Sequence, residues 1–453
     1  MKKIYVDCSY LSEHIELNTG IQRVVRRIIE NLTLLSKEND FEVVAVNISN
    51  SQFKKVEISD LYQQTKLDKN DHESKEDFLQ QFKNYLKNLY RATRDLIAAL
   101  IPHKKVKLFL YAPKEKFGLR YIVELIVVKP VKFIINQNKK NKTVTNDIQI
   151  NKEDVLLLLD STWYMDIWST VKMAKENGAQ VIAVIYDLIP ITHPQFCDNF
   201  LVEVFKTWFS DSLKYVDGFI TISDTVKKDL ISFLKTEFKD KVFDKKFDYF
   251  LLGSDFNYHN IKDEIVRDEL KVLFEKKSTY LIVCTIEPRK NHLYLIDAFD
   301  KLWEKGFDVN LCIVGRVGWK VEKTMDRINT HKLLGKRLFH FADLNDKELQ
   351  YCYKNSKMLI FPSIVEGFGL PIVESLMYHL PVLASDTPIH REVGGDKIGY
   401  FDLDDSSDLV NQLIKIENEG IPPYLIPSDD YKWQSWQEST KMLLDKMKKM
   451  SKE

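Results

Sequence analysis

The residues best suited to chemistry are two cations and two carboxylates in the C-terminal half of the chain. Arg289 and Lys290 follow one apolar, β-prone run, and Glu366 follows another. An arginine fork beside a lysine point charge suits a diphosphate. Glu366 and Glu374 are carboxylates, which accept hydrogen bonds from hydroxyl groups such as those of sugars. A diphosphate with a sugar on each side, which is a nucleotide-sugar, would use both kinds of group.

The segment that carries the two glutamates has the pattern of a strand, a glycine turn and a helix. Residues 358–363 form an apolar run typical of a buried parallel strand. Gly367 and Gly369 permit a close approach of the backbone, and Pro371 is typical of a first helical turn. Such a helix N-terminus suits a phosphate. A turn without a ligand, in an ordinary doubly wound domain, is the alternative.

A similar pattern occurs near the N-terminus. Gly20 opens a stretch whose apolar residues recur with the helical period, over residues 21–35. The backbone at Gly20 is therefore a second place where an anion or a sugar could approach. A glycine that only permits a tight turn explains the same pattern.

Composition and charge exclude several classes of protein. The 453 residues exceed what one hydrophobic core usually serves, so two domains are expected. The net charge of 0 argues against a dedicated nucleic-acid binder. Five scattered cysteines form no CxxC pair, which argues against disulfides or a zinc site. No apolar run has the length of a membrane span and no signal-peptide core is evident, so a cytoplasmic protein is expected.

Strand-like runs alternate with helical patterns in both halves of the chain. This alternation predicts an α/β fold with parallel sheets covered on both faces. Two such doubly wound, Rossmann-like domains would form a cleft, with ligands at the carboxyl ends of the strands. The predicted divisions are an N-terminal Rossmann-like domain (1–260) with an insertion at about 51–150, a second domain (261–430), and a C-terminal helix (431–453).

The insertion contains a strongly basic stretch. Residues 103–145 hold eleven Lys or Arg and two acidic residues, interleaved with large apolar side chains. A basic and apolar stretch suits an anionic membrane surface, so peripheral attachment to the inner face of the cell membrane is one prediction. A solvated insertion with a small core of its own is the other.

Four segments of the second half and parts of the first resemble family 4 of the retaining glycosyltransferases, which have the GT-B fold. The four segments are IEPRKN, IVGRVGW, FPSIVEGFGLPIVES and PVLASDTPIHREVGG. The spacing of Glu366 and Glu374 matches the paired-glutamate motif of that family. In the first half the resemblance covers Thr19 and Gly20 with their helix, and residues 184–194.

The resemblance implies roles for the domains and for the matching positions. The N-terminal domain (1–260) would be the acceptor side and the second domain (261–430) the nucleotide-sugar donor domain, and the C-terminal helix (431–453) would cross back to the N-terminal domain. Arg289 and Lys290 would bind the donor diphosphate, and Glu374 would hold the nucleotide ribose. Glu366 would contact the donor sugar, and Gly20 would let the first domain close on the phosphate. The backbone N–H groups that would assist Glu366 belong to Gly367, Phe368, Gly369 and Leu370.

The sequence departs from the family at two places. Where many relatives have a second arginine, this chain has Cys284 and a threonine, so Arg289 would take on that duty. Tyr186 stands where the family often has a histidine near the reacting centre. Tyrosine titrates near pH ~10 and could not act as that acid or base. Asp187, a catalytic candidate, and His193 lie nearby in sequence, and either could contact the acceptor.

Taken together, the resemblance predicts a retaining hexosyltransferase that needs no metal or other cofactor. Its donor would be GDP-mannose-like or a UDP- or dTDP-hexose. The acceptor would be a saccharide or a lipid-linked saccharide in bacterial surface polysaccharide synthesis, and no nucleic acid would be bound. Two alternatives stay open: a GT-B epimerase or hydrolase of nucleotide-sugars, and a non-catalytic GT-B subunit that partners an active transferase.

Overall fold

The computed structural model describes six stretches of the chain. These are residues 1–15, 20–49, 51–62, 148–239, 244–254 and 265–452. The basic stretch 103–145, and with it most of the predicted insertion, lies outside them. No helix in the described stretches combines the length and the apolar character needed to cross a membrane.

The first sheet is built by the N-terminal half of the chain. Among the described residues it has seven strands in the order β3-β2-β1-β4-β5-β6-β7, and all neighbours are parallel except β2 and β3. The strands are β1 (Lys3–Asp7), β2 (Glu42–Ser49), β3 (Gln52–Lys55), β4 (Val155–Leu158), β5 (Gln180–Ile185), β6 (Gly218–Thr221) and β7 (Lys246–Tyr249). In β1, Ile4 and Tyr5 belong to different apolar clusters, because both faces of the sheet are covered.

The second sheet has six parallel strands in the order β10-β9-β8-β11-β12-β13. The strands are β8 (Thr279–Val283), β9 (Asn310–Val314), β10 (Leu338–Phe341), β11 (Met358–Phe361), β12 (Val382–Ser385) and β13 (Gly399–Phe401). Here too, successive residues such as Leu281 and Ile282 are buried on opposite faces. The prediction of two parallel-sheet α/β domains is therefore confirmed.

Helices cover the faces of both sheets. Those of the first half are α1 (Ser9–Glu13), α2 (Gly20–Ser36), α3 (Trp168–Glu176), α4 (Ile189–Thr192), α5 (Asn199–Tyr215) and α6 (Asp224–Phe238). Those of the second half are α7 (Asp268–Lys276), α8 (His292–Glu304), α9 (Glu322–Asn329), α10 (Asp346–Asn355), α11 (Leu370–Met377), α12 (Pro388–Gly394), α13 (Ser406–Glu419) and α14 (Trp436–Lys452). Their apolar residues face the sheets; in α2 these include Val24, Ile28 and Leu32.

The last helix packs on the first domain. Lys446 of α14 forms an ion pair with Asp248 at 2.9 Å, and the Met450 carbonyl accepts hydrogen bonds from Gln180 and Lys246 at 3.0 and 2.8 Å. The helical pattern predicts a start near residue 431, but α14 begins at Trp436. The reason is a reciprocal cap in which the residue before α14 and Glu438 bond to each other's backbone N–H groups.

Strand order reverses at one place in each sheet. In the first sheet the reversal lies between β1 and β4, and in the second it lies between β8 and β11. A crevice forms outside the carboxyl ends of the strands at such a point, and ligands of open α/β sheets bind there.

Candidate active site

The turns that follow β8 and β11 meet at the reversal point of the second sheet. Because β8 and β11 are parallel neighbours, their carboxyl ends lie at the same edge. The Ile364 N–H donates to the Arg289 carbonyl at 2.8 Å and joins the two turns. The topology thus brings Arg289 and Lys290 to Glu366 across more than seventy residues of sequence.

Glu366 accepts hydrogen bonds from both cations, Arg289 and Lys290. Arg289 Nη1 donates to Glu366 Oε2 at 2.5 Å, and Lys290 Nζ donates to Glu366 Oε1. On its other side, Arg289 Nε donates to Glu287 Oε2 at 2.8 Å. The Lys290 and Glu366 side chains are only 9% and 8% exposed, so these interactions are screened little by solvent.

Burial and charge act in opposite directions on Glu366. Burial by itself would raise the pKa of this carboxyl, but the charges of Arg289 and Lys290 outweigh it and lower the pKa to about 2. Glu366 is therefore a carboxylate at any physiological pH. It can accept hydrogen bonds but cannot supply a proton.

Two further carboxyls complete the cluster. Burial raises the pKa of Glu287 and of Asp187, although the charge of Arg289 opposes the shift in both. Two cations thus face three carboxyl groups. Of these, Glu287 and Asp187 are the carboxyls that most readily take up a proton when another anion enters the cluster.

The N-terminus of α11 lies beside this cluster. Gly369 is the residue before the helix and has a φ of +104°, which favours glycine. A Cβ on Gly367 would lie 2.1 Å from the Tyr186 carbonyl oxygen of the first domain. Phe368 is buried and packs edge-to-face on Trp433, and Leu370 is the first helical residue. Only a glycine at position 367 lets the two domains approach this closely.

Glu374 of α11 has partners of its own in two other helices. It is 5% exposed, and Tyr353 donates to its Oε2 at 2.8 Å. Its Oε1 forms an ion pair with Arg23 of the first domain at 2.8 Å. The glutamate that the resemblance assigns to the nucleotide ribose is thus also a contact between the two domains.

Gly20 lies at the N-terminus of α2, one turn before Arg23. The ion pair of Arg23 with Glu374 therefore brings the start of α2 towards the second domain. A Cβ on Gly20 would meet no described atom within 4 Å. Nothing in the described part of the protein requires glycine at this position.

The three acceptor-side candidates divide into two groups. Tyr186 is buried and donates to the Leu159 carbonyl at 2.7 Å, and burial raises its pKa well above the usual value. Asp187 lies beside Arg289, and its Oδ1 accepts from a backbone N–H of α4 at 3.0 Å. His193 lies at the far end of α4, where its ring stacks on Phe196 and does not line the cavity that Tyr186 and Asp187 share.

That cavity has a volume of about 420 Å³ and opens beside Arg289. Aromatic and aliphatic side chains form most of its walls, and three aspartates are among its polar groups. The aromatic lining includes Trp163, Tyr164, Phe205, Trp208 and Phe209 of the first domain and Trp319 of the second. A mostly apolar cavity with a few convergent polar groups is typical of a small-molecule site.

Sequence reasoning missed Asp7 and Asp160 in this part of the site. Asp160 lines the cavity, and its Oδ2 accepts from the Leu11 N–H at 2.6 Å. Asp7 is fully buried, its Oδ2 has no hydrogen-bond partner, and burial and the charge of Asp160 raise its pKa to about 7. A usable signal exists, because each aspartate ends or closely follows an apolar strand, as Asp187 does.

Within the described stretches, no three or more His, Cys, Asp and Glu side chains are grouped so that they could hold a metal ion.

Fold comparison identifies the structural class. A solved structure from Anabaena, Alr3699/HepE in complex with UDP and glucose, aligns with a TM-score of 0.56 at 11% identity, over 99% of this chain and 100% of that one. A glycosyltransferase from Rickettsia africae aligns with a TM-score of 0.51 at 15% identity, over 100% of this chain and 96% of that one. The protein has the GT-B fold.

Sequence comparison finds relatives among glycosyltransferases. Residues 266–424 match the family described as Glycosyl transferases group 1. The Escherichia coli serotype-specific mannosyltransferase WbdA is 28% identical over 308 residues, which are 66% of this chain and 37% of WbdA. The O-antigen chain mannosyltransferase RfbU of Salmonella typhimurium is 26% identical over 235 residues, which are 51% of this chain and 60% of RfbU. The chain thus spans little more than a third of WbdA.

Proposed function

We propose that the protein is a metal-independent, retaining hexosyltransferase of glycosyltransferase family 4. It takes a hexose from a nucleotide-diphosphate donor and transfers it to a hydroxyl of a saccharide or lipid-linked saccharide acceptor. Because WbdA and RfbU are named as mannosyltransferases, GDP-mannose is the first donor to test, followed by UDP- and dTDP-hexoses. The product would belong to a bacterial surface polysaccharide.

The observation that carries the proposal is the meeting of Arg289 and Lys290 with Glu366 at the reversal point of the second sheet. In the proposed reaction the two cations exchange Glu366 for the diphosphate of the donor. Their charge would stabilise the departing phosphate without a metal ion. Glu366, released from the cations, would accept hydrogen bonds from the hydroxyls of the donor sugar.

Retention is consistent with a reaction that asks neither Glu366 nor Tyr186 to exchange a proton, because the cations lower the pKa of Glu366 and burial raises the pKa of Tyr186. In a front-face reaction the departing phosphate takes the proton of the acceptor hydroxyl, and the protein supplies position and charge. Tyr186 then needs no change of protonation, and its bond to the Leu159 carbonyl fixes the cavity wall. Asp187, which lines that cavity together with Arg289, would orient the acceptor hydroxyl.

The function is tested by incubating the purified chain with each nucleotide-sugar and a panel of saccharide acceptors in excess EDTA. Release of nucleoside diphosphate, with a new glycosidic bond of the same anomeric configuration as the donor, is the expected result. Release without an acceptor-linked product would favour a hydrolase, and an isomerised donor would favour an epimerase. No turnover despite donor binding would favour the non-catalytic subunit. Activity that EDTA abolishes and Mg²⁺ or Mn²⁺ restores would contradict metal independence.

We also propose that residues 103–145, outside the described stretches, attach the protein to an anionic membrane. Their eleven Lys or Arg and two acidic residues provide the charge, and each cation near an acidic leaflet is worth about 1 kcal/mol. Co-sedimentation with phosphatidylglycerol vesicles at low salt, and its loss at 1 M salt, is the expected result. Charge reversal of Lys104, Lys105, Lys107, Lys129 and Lys132 should abolish sedimentation. Wild-type protein that ignores these vesicles at low salt would contradict the attachment.

A further inference from the structure

Exposed aromatic side chains are concentrated around one cavity of the protein. Five Tyr, Phe and Trp side chains in the described stretches are more than a third exposed; two of them line the cavity that opens beside Arg289, and a third stacks on one of these two. Tyr164, Phe200 and Trp319 are 49%, 60% and 45% exposed, respectively. We call these three residues the aromatic rim. Large aromatic groups left in water at one place mark a binding surface more often than scattered ones do.

The first-domain part of the rim is a stacked pair. The rings of Tyr164 and Phe200 lie 6.1 Å apart between centroids, with 25° between their planes. Tyr164 lines the cavity, and Phe200 extends the aromatic surface outward from it. Asp198 also lines the cavity and caps α5, because its side chain accepts a hydrogen bond from the Leu201 N–H at 2.8 Å. This cap fixes the start of the helix that carries Phe200.

The second-domain part of the rim is anchored across the domain boundary. Trp319 follows β9, and its indole N–H donates to the Phe196 carbonyl of the first domain at 2.9 Å. The neighbouring Lys320 donates to the Cys197 carbonyl. The indole ring is therefore held in place although nearly half of it is exposed.

The rim and the cavity floor differ in chemistry. The floor carries polar groups that can bond to hydroxyls, including the Asp160 and Asp187 carboxylates and Gln22. The rim offers ring faces, which carry partial negative charge and attract the C–H face of a pyranose. A saccharide presents both kinds of surface, whereas an acyl or polyprenyl chain offers these polar groups no hydroxyl and would only shield them from water.

We infer that the aromatic rim binds the second and third sugars of an oligosaccharide acceptor while the sugar that receives the hexose occupies the cavity. This inference rests on the proposed transferase function and extends it to acceptor length. The protein would then prefer an acceptor of two or three rings over a single sugar. Stacking recognises the C–H face that pyranoses share, so the preference for length should exceed the preference for one particular sugar.

The test is a binding series with mannose, α-linked mannobiose and mannotriose, and with glucose, maltose and maltotriose as the second series. Affinity is measured by saturation-transfer NMR and titration in the presence of a nucleoside diphosphate. At least one series should gain about tenfold from one ring to three in wild-type protein. In Phe200→Ala and Tyr164→Ala proteins that gain should fall by about threefold to tenfold. Tyr424→Ala, which removes a 71% exposed aromatic ring away from the cavity, is the matched control and should keep the whole gain.

Two results would overturn the inference. One is wild-type protein that binds three rings no better than one in both series. The other is Phe200→Ala and Tyr164→Ala proteins that keep the wild-type gain. The affinity of the same wild-type sample for the donor separates this failure from failure of the proposed function. Protein that binds no nucleotide-sugar contradicts the transferase proposal. Protein that binds the donor but shows no dependence on acceptor length contradicts only the role of the aromatic rim.

Discussion

Each cation of the proposed donor site is matched by a carboxylate, and this pairing determines how single residues should respond to mutation. Arg289 lies between Glu287 and Glu366, and Lys290 bonds to Glu366. Removing one partner of a buried pair leaves the other charge uncompensated, which is more costly than the pair itself. For the two glutamates of the paired motif, the isosteric change to glutamine is therefore more informative than truncation to alanine.

The two glutamates of the paired motif should affect nucleotide binding differently. Glu374→Gln should weaken binding of the free nucleoside diphosphate, because the ribose would lose a charged partner worth about 1.5–3 kcal/mol. Glu366→Gln should leave that binding unchanged or strengthen it, because Arg289 and Lys290 become available to the diphosphate, and turnover should fall.

Calorimetric titration of both variants with nucleoside diphosphate measures the difference. Glu304→Gln, an exposed change at the end of α8, is the control and should bind as wild type does. Equal losses of nucleotide affinity in Glu366→Gln and Glu374→Gln would contradict the division of roles.

Asp7 should make the stability of the folded protein depend on pH. Its pKa of about 7 in the folded protein is above the value of about 3.9 expected when the chain is unfolded. Between these values the folded state holds more protons than the unfolded state, so this residue lowers stability as pH rises from about 4 to 7. Asp7→Asn removes the penalty and should raise the melting temperature at pH 8 more than at pH 5. A gain of the same size at both pH values would show that Asp7 is ionised in the folded protein.

The residue pairs of the site could be predicted only in part from the sequence. Arg289, Lys290 and Glu366 stand out because each follows a strand-like run. Glu287 does not stand out as a partner of Arg289, and Arg23 of α2 gives no sign that it reaches Glu374. Such pairs depend on which strands and domains become neighbours, which local patterns do not encode.

At the scale of elements, the strongly periodic or apolar segments were predicted well. Helix α2 covers the periodic stretch 21–35, and β11 lies within the apolar run 358–363. Strand β3 was missed because QFKK is short, polar and paired only at the antiparallel edge of its sheet. Helix bounds shifted where a cap decided them, as at the start of α14.

The start of α2 provides a prediction at this scale. Gly20→Ala should leave the melting temperature unchanged or slightly higher, because alanine favours helix and a Cβ there meets no described atom. Nucleotide-sugar affinity should fall, since the added methyl group would obstruct the approach of the phosphate to the backbone. Thermal unfolding and titration of the same sample measure the two effects.

Gly367→Ala serves as the contrast, because its Cβ would clash with the Tyr186 carbonyl. This variant should lose melting temperature as well as affinity for nucleotide-sugars. A Gly20→Ala protein with unchanged affinity for nucleotide-sugars would show that Gly20 serves only the turn.

For the whole molecule, the two domains touch at groups that also belong to the site. Glu374 binds Arg23, Gly367 packs against the Tyr186 carbonyl, and the Ser223 hydroxyl donates to the Gly367 carbonyl at 3.1 Å. A donor that binds as proposed and displaces any of these groups would change the contact between the domains as well. Donor binding and domain contact would therefore be coupled through the same groups.

The two-domain architecture could be predicted from the alternation of strands and helices and from the ordered motifs of the second half. The cavity could not, because its aromatic lining comes from several elements of the first domain and from Trp319 of the second. No single segment carries enough of that lining to form a recognisable pattern. Large cavities at domain boundaries are products of tertiary packing.

The most direct test of the proposed donor site is the affinity of Arg289→Ala protein for a nucleotide-sugar in EDTA, measured by titration calorimetry. Arg337→Ala is the matched control, because Arg337 lies in the same domain just before β10 and pairs with Asp308 at 3.0 Å. Loss of a charged diphosphate contact of about 1.5–3 kcal/mol predicts affinity reduced by roughly 10-fold to 150-fold in Arg289→Ala, with Arg337→Ala unchanged. Wild-type affinity in Arg289→Ala protein would contradict the assignment of the donor site.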